Sequence, residues 1–247
     1  MLCQKHSVMQ NTATSIRAEL IIWHLTDSAL PTGSFAHSAG LETFIQANDV
    51  HDPDSYQHWL HSYLRQASFT EALTVRFAVE LVQSDKDFAT KLRHLNELDQ
   101  LVHACQTAKQ VRTSMNSMGK RMAKIALTIA PDQPIVEKYY QAILAEEMHG
   151  NPAIAVGLLL GSEGVSPRQA VTAYLMQMAN SMTQNAIRAI PLGQDAGQRV
   201  LVSAYEVIIQ AAQLTMTHTV ADLGAVAPRL EVAQMQHETL RSRMFMS

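Results

Sequence analysis

The stretch Asn151–Gly164, NPAIAVGLLLGSEG, decides the fold class. Asn151 can cap a helix, because its side-chain oxygen can accept an orphan backbone N–H. Pro152 suits the first helical position, where its missing N–H costs nothing. The apolar residues that follow nearly encircle the helix. A helix that is apolar on all sides belongs at the centre of a core.

Further helices flank this one in the sequence. On the C-terminal side, SPRQAVTAYLMQMANSMTQNAIRAI starts with Ser166 as cap and Pro167 as first residue, and ends at Pro191. QRVLVSAYEVIIQAAQLTM reads as another long helix, and RLEVAQMQHETLR as a last one before the tail SRMFMS. On the N-terminal side, Ile135 to His149 reads as a helix that stops at Gly150, after the breaker PDQP. Val111, Met115, Met118, Met122, Ile125 and Ile129 form one apolar stripe, and Phe88, Leu92, Leu95, Val102 and Cys105 another. In DPDSYQHWLHSYLRQA, Asp52 is the cap and Pro53 the first residue. Tyr56, Trp59, Leu60, Tyr63, Leu64 and Ala67 then fall on one helical face. No stretch alternates long enough for a strand, no repeat period stands out, and no Gly/Ser linker divides the chain. The expectation is one all-α domain, a bundle of nine or ten helices over residues 17–240. It is flanked by a flexible polar tail (1–16) and a short C-terminal tail (241–247).

The chain has 247 residues, 47% apolar and 17% charged, with a net charge of −3. That composition supports a sizeable core. It offers no basic face for nucleic acid. No apolar run reaches the roughly 18 residues of a membrane span, and the first sixteen residues lack a signal-peptide core. Cys3 and Cys105 are far apart and form no CxxC, so a reducing cytoplasm is the expected compartment.

A search for chemistry returns mostly exclusions. A phosphate-binding P-loop needs Gly-x-x-x-x-Gly-Lys-Ser/Thr. The only Gly-Lys pair, Gly119–Lys120, is followed by Arg121, and Ser114 stands where the first glycine belongs. Glu146 and His149 form one Glu-x-x-His motif, but a di-iron bundle needs two. A histidine before Gly150 is better read as completing a helix end. His58 and His61 lie beside an apolar stripe with no third ligand in view. Met115, Met118 and Met122 could hold a soft metal, yet at helical spacing they read as core filler. No catalytic, cofactor-binding or metal residue is assigned, and the chain is not expected to be an enzyme.

Three punctuated stretches remain. DSALPTGSFAHSAGLE (Asp27–Glu42) crowds Asp27, Ser34, His37 and Ser38 together, but has no nucleophile elbow and no leading strand. It reads better as a helix break and restart. Leu30 is pushed extended by Pro31, Gly33 permits an unusual backbone angle, and Ser34 or Ser38 caps the next helix. RAIPLGQDAGQR (Arg188–Arg199) breaks two long helices at Pro191 and Gly193, and Gly197 allows a close backbone approach. HETLRSRMFMS ends the chain with an apolar, cationic segment, either docked on its own core or waiting for a partner.

Together and in this order, these stretches resemble the signatures of the UreF family of urease accessory proteins. The likeness runs from about residue 20 to 247 and is weakest over roughly 70–135. It implies an all-helical homodimer without activity of its own. It also implies a bridge between a scaffold protein, UreD (also called UreH), and the GTPase UreG, in a complex that delivers nickel to apo-urease. Carried over residue by residue, it implies partner-binding roles for Phe35, His37, Ser38 and Glu42 in the first motif. In the second, the roles fall to Arg188, Pro191, Gly193, Gln194, Gly197 and Gln198; in the third, to His237, Glu238, Arg243 and Phe245. Thr32 and Phe35 depart from the family's usual Ile/Val and Tyr. Two alternatives stand beside this reading: a GTPase-activating partner using Arg188 as a finger, and a helical metalloenzyme using Glu146 and His149.

Overall fold

The structure, a computed structural model, describes residues 15–27, 30–225 and 227–246, with Phe35 described in its backbone alone. Cys3 and nearly all of the expected N-terminal tail lie outside the described residues. Among these residues there is no strand, and the all-α expectation holds. Eleven α-helices follow one another: α1 (Ile16–Thr26), α2 (Leu41–Gln46), α3 (Pro53–Ala67), α4 (Glu71–Gln83), α5 (Phe88–Cys105), α6 (Lys109–Ile129), α7 (Pro134–Leu144), α8 (Pro152–Ser162), α9 (Pro167–Ala189), α10 (Gln194–Thr215) and α11 (Pro228–Gln236). Short 3₁₀ turns cover Ser34–Ala36, Val220–Asp222 and His237–Thr239. The short α2, six residues long, adds to the nine or ten expected.

Helix α8 is the centre, as its sequence requires. Every residue from Pro152 to Gly161 is buried. Asn151 Oδ1 accepts the Ala153 N–H at 2.8 Å, closing the first turn. Helices α4, α6, α7 and α9 pack around α8. Helix α4 was not singled out from the sequence, yet it lies closest against α8. A Cβ added to Gly157 would stand 2.5 Å from Ala78 Cβ and 2.7 Å from the Val75 carbonyl. The absent side chain is what lets the two backbones approach. Outside this centre, α10 lies against α9 and α3, and α1 against α9.

The capping expectations hold at Asp52, which accepts the Ser55 N–H at 2.8 Å, and at Ser166, which accepts the Gln169 N–H at 3.3 Å. Three readings are corrected. Helix α7 ends at Leu144, and the chain turns through Glu146 at φ +60°. Glu146 and His149 therefore sit in a turn rather than on one helical face. Phe88 is exposed rather than part of the core stripe. Neither Ser34 nor Ser38 caps α2; its N-cap is Gly40 at φ +92°, with no side-chain cap. Among the described residues no helix is long and apolar enough to cross a membrane.

Candidate functional site

The first motif folds as a tight double bend. Gly33 adopts φ +91° and opens the 3₁₀ turn, and Ala39 and Gly40 adopt φ 50° and 92° before α2 begins. The second bend brings Glu42, in the first turn of α2, to a buried position with 5% exposure. A carboxylate buried to this degree needs partners, because an uncompensated charge in the interior is strongly unfavourable.

Those partners come from the far end of the chain. Oε2 of Glu42 bonds His237 Nε2 at 2.8 Å and accepts the Phe245 N–H at 3.2 Å, while Oε1 accepts the Met244 N–H at 2.5 Å. His237 is fully buried, and its Nδ1 lies 2.9 Å from Gln110 Oε1 of α6. The tail makes two more contacts with the same surface. Met246 N–H donates to the Ala36 carbonyl at 2.7 Å, and Gln46 Nε2 donates to the Ser242 carbonyl at 2.6 Å. The C-terminal segment is therefore docked on its own core, with the Phe245 side chain buried. Hydrogen bonds to a charged acceptor contribute about 1.5–3 kcal/mol each, so one carboxylate is the principal anchor of the tail.

The second motif meets the first and third at the same place. The Arg188 guanidinium lies 5.2 Å from the Phe245 ring centroid, a cation–π distance. It also bonds Asn185 Oδ1, while Asn185 Nδ2 donates to the His37 carbonyl at 2.6 Å. Asn185 is fully buried and ties the last turns of α9 to the first motif. His37 is buried. Burial first, and then the nearby His237, hold its imidazole below the ordinary histidine value.

The node thus joins His37, Glu42, Arg188, His237 and Phe245 of the expected residues. Ser38 is fully buried and accepts the Leu41 N–H at 2.9 Å, so it shapes the bend. The Phe35 side chain lies outside the described residues. Pro191, Gly193, Gln194 and Gln198 are exposed at the α9–α10 corner, as are Glu238 and Arg243 on the tail side. Gly197 turns inward, where a Cβ would meet Ile187 Cδ1 at 2.7 Å. Its close approach serves α9–α10 packing within the chain. Asn185, Gln110 and Gln46 were not found from the sequence. Only Asn185 left a signal: a polar residue three positions before Arg188, on the same helical face.

The other candidates have structural partners. The Glu146–His149 turn is held by Asp99, which accepts Tyr139 O–H at 3.0 Å, His149 N–H at 2.6 Å and Gly150 N–H at 3.0 Å. The His149 ring stacks on His103 at 3.5 Å and bonds Gln100 Oε1 at 3.0 Å. His61 bonds Ser203 Oγ at 3.1 Å. Among the described residues no three His, Cys, Asp or Glu side chains gather to hold a metal ion. The node offers hydrogen bonds, a stacked cation and an ordered tail, which are the means of recognition.

Comparison with known proteins supports the family resemblance. The UreF family model matches residues 50–205. The chain is 40% identical over 231 residues to a urease accessory protein UreF of Arthrobacter sp. (strain FB24), covering 93% of this chain and 97% of the relative. It is 39% identical over 230 residues to that of Paenarthrobacter aurescens (strain TC1), covering 93% and 98%. It is 37% identical over 229 residues to that of Bacillus sp. (strain TB-90), covering 92% and 98%. Identity at this level extends along more than nine-tenths of each chain. The chain belongs to the UreF family of urease accessory proteins.

Proposed function

We propose that this chain is a non-catalytic adaptor of nickel-urease maturation. It works as a homodimer that bridges the scaffold protein UreD (UreH) and the GTPase UreG, so that nickel reaches apo-urease. The observation that carries this reading is the convergence of the three motifs on Glu42. A buried carboxylate holds the tail, whose Phe245 ring meets the Arg188 guanidinium, and Gln194, Gln198 and Arg243 of the same motifs are exposed. A surface assembled from three distant segments is ordered before a partner arrives, which lowers the entropic cost of association.

The arrangement favours recruitment over GTPase activation. A finger must place its guanidinium on a transferring phosphoryl group. Arg188 is instead engaged by the Phe245 ring and the Asn185 amide. The experiment is co-purification of the chain with UreD and UreG from one source, followed by size exclusion. Co-elution is expected. Failure to form a complex under every nucleotide and nickel condition overturns the adaptor reading.

A further inference from the structure

A chamber of about 100 Å³ lies beneath the first motif, between α6, α8 and α9. Its wall carries Met115, Met118 and Met122 of α6 and Met178 and Met182 of α9. All five are buried. Read as core filler, such flexible side chains would close a void rather than line one, since interiors pack to near-crystal density. Instead, methionines of two separate helices line one cavity, in a wall that also carries His37, Gln177 and several aliphatic side chains. The spacing i, i+3, i+7 on α6 and i, i+4 on α9 places each row on a single helical face. Among the described residues, Glu71 is the one acid in the wall. Its Oε2 accepts the Thr70 hydroxyl, and burial pushes the carboxyl up, favouring the neutral acid.

We propose that this methionine-lined chamber is a binding site for a soft monovalent cation of the copper(I) class. Thioether sulfur is soft and uncharged. It selects copper(I) over harder divalent ions such as nickel(II), which prefer nitrogen and oxygen donors. The rotatable bonds of methionine let sulfurs from the two helices converge on an ion that imposes little geometry. The site shares His37 with the node, but it does not rest on the adaptor reading, and the two can fail separately.

The test uses the full chain with both cysteines replaced by serine, because thiolates would outcompete thioethers. The methionine methyl groups are labelled with carbon-13, and cuprous ion is titrated anaerobically against a chromogenic chelator. One equivalent is expected to bind and to shift the methyl resonances of the five chamber methionines. The same amount of nickel(II) should leave them in place. The paired substitution Met118→Leu and Met182→Leu conserves volume, so the fold should persist, and it should weaken cuprous binding at least tenfold. Three results overturn the proposal. The first is no binding against the chelator. The second is shifts confined to the exposed Met244 and Met246. The third is nickel(II) shifting the chamber methyls as strongly as copper(I).

Discussion

Replacing Glu42 with glutamine keeps the shape of the side chain and removes its charge. The amide oxygen can take the place of Oε2 and keep its bonds to His237 and Phe245. The amide nitrogen then replaces Oε1 and faces the Met244 N–H, donor against donor, where a 2.5 Å hydrogen bond stood. One charge-assisted bond is lost and one donor is left unpaired, while the remaining two bonds weaken with the charge. The sum is about 3 kcal/mol, which corresponds to roughly a 10²-fold shift in the docking equilibrium of the tail. Hydrogen exchange followed by mass spectrometry on the C-terminal peptide reads this directly. Met244, Phe245 and Met246 amides should exchange about 10²-fold faster in Glu42→Gln than in the parent chain. Glu238→Gln changes an exposed acid one position after His237 and should leave exchange unaltered. If the two variants exchange alike, the carboxylate does not hold the tail and the node as described is wrong.

Other perturbations probe the frame and the surface. Gly157→Ala pushes a methyl against Ala78 and the Val75 carbonyl. It should cost about 1–3 kcal/mol, or about 2–10 °C in thermal midpoint, whereas Gly193→Ala, with open space around it, should be near neutral. Asp99→Ala strands the Tyr139 hydroxyl and two amide donors. A loss of about 3 kcal/mol or more is expected in denaturant unfolding. Asp52 is held below the usual carboxylate value, first by the Ser55 side chain and then by the Ser55 backbone N–H. A group lowered in the folded state contributes stability above its unfolded value, and that stability is lost as pH falls through the folded one. The thermal midpoint of Asp52→Asn should therefore fall less steeply below about pH 4 than that of the parent. Finally, Arg243→Ala, or removal of the last ten or so residues, should weaken binding to UreD in a direct titration. Unchanged binding would refute a role of the tail in the proposed scaffold contact.

The parts of this molecule that were legible in advance obey local rules. Asp52, Asn151 and Ser166 cap their helices because the acceptor and the amide it serves lie two or three positions apart. The apolar girdle of α8 put that helix at the centre for the same kind of reason: periodicity is a property of neighbours along the chain. Local reading failed where backbone geometry overrode residue preference. Glu146 takes a left-handed angle and ends α7 early, and Gly40 starts α2 in place of a capping serine.

The all-helical class, the central helix, the lack of a P-loop and the three stretches that resemble the family's signatures were thus determined by the sequence itself. The meeting of those motifs was not. Glu42 and Phe245 lie 203 positions apart, and Asn185 and His37 lie 148 apart. Such bonds exist only once α2, α9 and the tail have been stacked by burial of a common core. Hydrophobic burial is non-directional and leaves no pairwise mark in the order of residues. Only the tertiary structure could show that a serine-and-histidine-rich bend, a helix corner and a chain end make one surface. It also shows that methionines of α6 and of α9 line one cavity.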